Sequence, residues 1–111
     1  MNLFGLFTSE PEKALARKLA EHLAKNIPPK LMDKGRQVLS ANRVSRVLEQ
    51  AFETAKDHQA QTGMGFMKRA ILANNFKWEL QTKGYPKDFI NLAIEGLVVE
   101  LSKARQSRNA K

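Results

Sequence analysis

The sequence predicts an all-α fold, a compact antiparallel bundle of four long helices and one short helical turn. Apolar residues recur at three- and four-residue steps in four separate segments, which is the period of a helix buried on one face. No stretch alternates apolar and polar residues as a strand does, and the connections between the segments are short. Consecutive amphipathic helices with short connections are typical of a helical bundle.

Length and composition indicate a single domain. The chain has 111 residues, of which 42% are hydrophobic and 27% are charged, and these are ordinary values for a globular protein. We assign residues 9–101 to the helical domain and residues 1–8 to an apolar N-terminal hook. Residues 102–111 hold no large apolar side chain, so we expect a basic, disordered tail there.

The first long helix is predicted over residues 10–26. Ser9 and Glu12 have the spacing of a capping box, in which each side chain satisfies the other's free backbone amide. Prolines at positions 28 and 29 end this helix, and residues 29–35 form the predicted short turn. The apolar stripe of the helix recurs at four-residue steps and consists of Leu15, Leu19, Leu23 and Ile27.

The second long helix is predicted over residues 40–61. Its apolar residues fall within an arc of about 140° on a helical wheel, and charged residues fill the opposite side. Two opposite-charge pairs at i, i+3 spacing, Arg46 with Glu49 and Glu53 with Lys56, indicate a solvated face. The apolar arc consists of Val44, Val47, Leu48, Ala51, Phe52 and Ala55.

The third long helix, predicted over residues 65–83, is apolar on nearly all sides. It follows a turn or hinge at Gly63 and Gly65, and Gly84 is predicted as its left-handed cap. A helix of this kind is either central in a bundle or covered by a partner. One side carries Met67, Ile71 and Trp78, and much of the other carries Phe66, Leu72, Ala73, Phe76 and Leu80.

The last long helix is predicted over residues 87–104. Pro86 and Asp88 are typical of a helix start, since proline needs no amide partner there and an acid in the first turn suits the helix dipole. The helix has a broad apolar stripe, and Leu92 and Val99 place further apolar surface outside it.

The residues that could carry catalysis or bind a metal are few. The chain has no cysteine and two histidines, His22 and His58, without the spacing of a zinc site. The acids are spread over helix faces, and Glu10 and Glu12 are interpreted as helix-start residues. The glycine turn before the third helix lacks the pattern of a phosphate-binding loop. We therefore expect a protein that is not an enzyme and that has no cofactor.

The N-terminus does not have the composition of a secretory signal. It lacks a basic leader, and its apolar run ends after a few residues. No segment reaches the length of about 20 apolar residues that a membrane span needs. The expected location is the cytoplasm.

The most favoured function is protein binding, because the apolar surface exceeds what one face per helix requires. We expect self-association as a homo-oligomer, or binding to a protein partner, through the third helix and the N-terminal hook. The hook could instead fold back on its own bundle. The candidate contact residues are Leu3, Phe4, Leu6 and Phe7 in the hook, with Phe76 and Trp78 as anchors in the third helix.

The alternative function is non-specific nucleic-acid binding. The net charge is +8, and half of this excess lies in residues 102–111, where flexible basic side chains could neutralise phosphates. The basic residues of the third helix are spread too widely for a clean basic stripe. The candidate nucleic-acid contacts are Lys68, Arg69, Lys77, Lys103, Arg105 and Arg108. No motif is specific enough to indicate a family.

Overall fold

The computed structural model describes residues 10–35 and 41–109. Within these ranges the chain forms four α-helices and one 3-10 helix and contains no strand, which confirms the predicted all-α fold. The N-terminal hook lies outside the described residues. The helices are α1 (Glu10–Asn26), α2 (Ala41–Thr62), α3 (Phe66–Lys83) and α4 (Lys87–Asn109), and the 3-10 helix spans Pro29–Gly35.

The four helices form a ring in the order α1, α2, α4, α3, with each helix packed against two neighbours. α1 and α3 pack together most extensively, and Ala16 and Ala20 are both fully buried. Small side chains of this kind let two helix backbones approach closely. α2 and α3, although consecutive in sequence, lie diagonally opposite each other.

Polar contacts fix the directions of the helices. His22 contacts Gln50 and Glu12 contacts His58, so α1 and α2 are antiparallel, as predicted. The Phe52 ring lies over Gly96 and, one turn further along both helices, Lys56 contacts Glu100, so α2 and α4 are parallel. This parallel pair arises because the chain crosses the bundle diagonally between α2 and α3.

The two glycine positions that connect the helices have a clear structural role. Gly63 and Gly84 have φ angles of 71° and 94°, a left-handed conformation that favours glycine. The Gly84 amide donates to the Gln81 carbonyl and the Tyr85 amide donates to the Leu80 carbonyl, which confirms the predicted cap. Met64 follows Gly63 and is fully buried, so this connection is anchored in the core.

The C-terminal end of α4 differs from the prediction. The helix continues to Asn109 rather than ending near residue 104, so residues 102–109 of the predicted disordered tail are helical. Alanine, arginine and glutamine are good helix formers, and adding residues to an existing helix avoids the cost of nucleation. Residues 110 and 111 lie outside the described part of the chain.

Candidate protein-interaction surface

The inner side of α3 belongs to the core of the bundle. Leu72, Phe76 and Leu80 recur at four-residue steps and are fully buried. The prediction that Phe76 anchors a partner is therefore wrong, because its ring already packs inside its own chain. Sequence alone could not separate the two sides of α3, since both carry large apolar residues.

The outer side of α3 carries a second apolar row, which we call the outer stripe and define as Met67, Ile71 and Trp78. Met67 is 59% exposed and Trp78 is 62% exposed, while Ile71 is half-buried. Steps of four and seven residues place all three on one side of a helix, over a length of about 16 Å. Trp78, the second predicted anchor, thus lies on the surface.

Two polar side chains near the outer stripe donate hydrogen bonds to the backbone of α3 itself. The Asn75 amide donates to the Ile71 carbonyl at 2.8 Å, and the Thr82 hydroxyl donates to the Trp78 carbonyl at 2.9 Å. Neither side chain carries charge. These two side chains therefore already have acceptors within α3, whereas the exposed Asn74 and Gln81 on the same side of the helix would have to be desolvated during binding.

The charged residues of α3 are mainly basic. Lys68 and Lys77 are exposed and lie on opposite flanks of the outer stripe at about 100° per residue. The only acid of this helix, Glu79, is half-buried and lies 4.0 Å from the guanidinium of Arg17 on α1. The outer stripe is consequently bordered by positive charge.

Further exposed apolar residues lie near the boundary between α3 and α4. Phe66 is 76% exposed and lines a shallow, mainly apolar groove of about 190 Å³ with Ala70 and Val98. Leu92 and Val99 on α4 are also exposed. Among the described residues, these exposed groups are shorter or more dispersed than the outer stripe.

The groove between α2 and α4 has a different character. The Phe52 ring lies directly over Gly96, where an added Cβ would come within 2.7 Å of the ring. Lys56 lies in this groove, 2.7 Å from Glu53 and 3.5 Å from Glu100. The hydrogen bond to Glu53, supported by Glu100, raises the pKa of Lys56. Lys56 bridges the two carboxylates, so the groove is a structural contact between the helices.

A buried polar pair links α1 to α2. Glu12 is 1% exposed, and its Oε2 lies 3.2 Å from His58 Nε2. Its Oε1 has no hydrogen-bond partner among the described residues. The interpretation of Glu12 as only a helix-start residue missed this contact, and Ser9 lies outside the described residues. The missed signal is that Glu12 lies four residues before Ala16, on the apolar side of α1.

Within the described residues no group of three or more histidine, cysteine, aspartate or glutamate side chains could hold a metal ion. The neighbouring Gln59 is also buried, and its amide donates to the Leu101 carbonyl at 3.0 Å. These contacts tie α2 to α1 and α4, which is a structural role.

The candidate nucleic-acid residues do not share one surface with free side chains. Lys103 lies 3.5 Å from Glu100, and Arg105 donates to the Met64 carbonyl at 3.4 Å. Arg69 is half-buried, whereas Lys68 and Lys77 are exposed. Arg108 belongs to α4, but its side chain lies outside the described part of the structure.

The candidate contacts in the hook, Leu3, Phe4, Leu6 and Phe7, lie outside the described residues, so their role stays a prediction. In the described ranges, no helix combines the length and the apolar character needed to cross a membrane.

No protein-family model matches the chain, and no curated protein or solved structure matches it significantly.

Proposed function

We propose that this chain is a non-catalytic helical module that binds a protein, either a second copy of itself or another partner, through the outer stripe of α3. The observation that supports the proposal most strongly is the position of Trp78. Its side chain is 62% exposed, and it is not part of the buried core.

The chemistry of the outer stripe suits protein recognition. Tryptophan is enriched among the residues that dominate binding energy at protein interfaces. Methionine adapts its shape to irregular partner surfaces. Met67 extends the contact area of the outer stripe by one helical turn before Ile71. Burying these side chains would remove apolar surface from water, at about 25 cal/mol for each Å².

The proposal of a non-catalytic role rests on the contacts of the titratable groups. The Nε2 atom of His58 already contacts the buried Glu12 carboxyl. The nearby Thr62 hydroxyl donates to the His58 backbone carbonyl at 2.9 Å and not to the ring. A nucleophile would need a hydrogen bond to a base. A reducing compartment such as the cytoplasm suits a chain without cysteine.

Two measurements on the full chain test the proposal. Light scattering over a range of concentrations measures self-association, and quantitative affinity capture measures partner binding. We expect at least one of them to be positive for the wild type and to be lost in the double variant Met67→Ala, Trp78→Ala. The matched control is Leu92→Ala, Val99→Ala, which removes exposed apolar side chains from α4.

The two double variants distinguish binding through a specific surface from non-specific hydrophobic association. Equal loss in both would indicate non-specific hydrophobic association. A chain that is monomeric and captures nothing that depends on Trp78 would contradict the proposal. Circular dichroism of each variant checks that the helices are retained.

Non-specific nucleic-acid binding is the second candidate, favoured by the exposure of Lys68 and Lys77 on the two flanks of the outer stripe. Its test is a titration with single-stranded and double-stranded oligonucleotides at several salt concentrations. Affinity should fall steeply with salt and should drop on deletion of residues 102–111. The absence of binding at low salt would contradict it.

A further inference from the structure

We infer that the partner of the outer stripe is an acidic amphipathic helix. This inference rests on the proposed protein-binding function and adds the chemistry of the partner. It follows from the charges that border the outer stripe, from the shape of that stripe, and from the poor fit of the other possible occupants.

The charges of α3 favour an acidic partner. The helix carries four basic residues and one acid. That acid, Glu79, already faces Arg17 at 4.0 Å, whereas Lys68 and Lys77 are exposed on the two flanks. A partner with acids on both sides of an apolar row would complement both flanks, and complementary charge steers association and fixes the register.

The shape of the outer stripe favours a helix. Met67, Ile71 and Trp78 span about three turns, and a second helix can match such a row with apolar residues at three- and four-residue steps. Ile71 is half-buried and lies between two strongly exposed side chains. The exposed Asn74 lies on the same side between Ile71 and Trp78, so a matching partner helix would place a polar side chain opposite it.

A second copy of the chain fits less well. A two-fold axis would bring Lys68 and Lys77 of both copies to the same interface, and like charges there would oppose association. Stable interfaces bury about 800 Å² on each partner, and three side chains cannot supply that area alone. An acidic helix, by contrast, forms the smaller contact typical of a transient complex.

A nucleic acid also fits less well. Binding of single strands relies on successive bases stacking on aromatic rings. The outer stripe offers one aromatic ring, Trp78, and two aliphatic side chains. Moreover, Lys68 and Lys77 lie on opposite flanks and do not form one track for a phosphate backbone.

The experiment is a selection from a displayed library of helical peptides. The peptides carry fixed apolar positions at helical spacing, while the flanking positions are random. Selection uses the wild-type chain, with counter-selection on Trp78→Ala. We expect the recovered peptides to carry net negative charge. A recovered peptide should bind about tenfold more tightly than its Glu→Gln analogue, a difference that corresponds to two or three surface ion pairs.

Charge reversal in the protein supplies the matched control. Lys68→Glu with Lys77→Glu should weaken binding of the acidic peptide, whereas two control substitutions on the exposed part of α1, Lys18→Glu and Lys25→Glu, should leave it nearly unchanged. Higher salt should reduce the difference between the peptide and its analogue. Trp78 is the only tryptophan of the chain, so its fluorescence reports contact directly.

Each contrary result identifies what is wrong. Recovered peptides that depend on Trp78 but are neutral or basic would overturn the acidic partner and leave the proposed function standing. Displacement of the peptide by a single-stranded oligonucleotide, or Trp78-dependent dimers in place of peptide binding, would also overturn the acidic partner. No Trp78-dependent peptide together with a monomeric, non-binding chain would overturn both proposals.

Discussion

α2 and α3 occupy diagonal positions in the same bundle but are held there by different interactions. α2 makes polar side-chain contacts with both of its neighbours, through His58 to α1 and through Lys56 and Gln59 to α4. α3 has one long ion pair, from Glu79 to α1, and its other described side-chain hydrogen bonds return to its own backbone. Apolar packing accounts for the rest of its attachment.

The difference separates apolar residues that serve the fold from those that do not. In α2 the apolar residues are nearly all buried, and charged residues form the outer side. In α3 the buried row of Leu72, Phe76 and Leu80 is complete, yet two further large apolar residues, Met67 and Trp78, remain exposed on the outer side. Four substitutions test this contrast, from the largest expected effect on stability to the smallest.

Phe76→Ala should have the largest effect, because it removes a fully buried ring from the inner side of α3. Truncation of a buried phenylalanine costs about 3–5 kcal/mol, measured as the free energy of unfolding in urea. The matched control is Phe66→Ala in the same helix, where the ring is 76% exposed. Equal losses in the two variants would contradict the assignment of the inner side.

His58→Ala should have the second largest effect and tests the polar attachment of α2. It leaves the buried Glu12 carboxyl without its described partner, and an unsatisfied buried polar group costs about 1–3 kcal/mol. His22→Ala is the control, since the His22 contact with Gln50 is exposed. A double-mutant cycle with Glu12→Gln should show coupling, and its absence would mean that the 3.2 Å contact adds nothing to stability.

Sequence reasoning predicted the fold well because amphipathic periodicity and caps are local signals. The helix bounds of α1, α2 and α3 agree with the predictions to within about one residue, and Gly84 has the predicted conformation. The end of α4 was missed because polar residues after Leu101 can extend a helix that the apolar pattern no longer supports.

The candidate surface was predicted only in part, because burial depends on which helices become neighbours. Periodicity placed Phe76 and Trp78 in one unusually apolar helix. It could not show that the neighbouring helices α1 and α4 cover Phe76 and leave Trp78 exposed. The Glu12–His58 contact joins residues 46 positions apart. Its detection required the pairing of α1 with α2, which no local signal supplies.

Tyr85→Phe should have a smaller effect and tests the connection that follows α3. The Tyr85 hydroxyl donates to the Ile27 carbonyl at 2.6 Å, and a hydrogen bond of this kind contributes about 0.5–1.5 kcal/mol. Its ring also stacks on Phe89 with centroids 4.9 Å apart, and the variant keeps this contact. An unchanged free energy of unfolding would contradict the role of the hydroxyl.

The pH dependence of Tyr85 gives an independent measurement. Burial raises the pKa of its phenol from 10.0 to about 12, so the folded chain keeps a proton that the unfolded chain releases. The stabilising effect is therefore complete below pH 10 and declines as the pH rises towards 12. Tyr85 is the only tyrosine, so phenolate absorbance follows it directly. The wild type should lose more stability than Tyr85→Phe in this interval.

Trp78→Ala should have the smallest effect on stability and the largest effect on binding. The side chain is 62% exposed, and surface substitutions usually change stability by less than about 0.5 kcal/mol. Alanine is also the better helix former, which offsets part of the lost contact. Unfolding in urea, followed by circular dichroism, measures the first effect. A loss as large as that of Phe76→Ala would mean that the fold itself requires Trp78, and the outer stripe would then have no spare apolar surface to offer a partner.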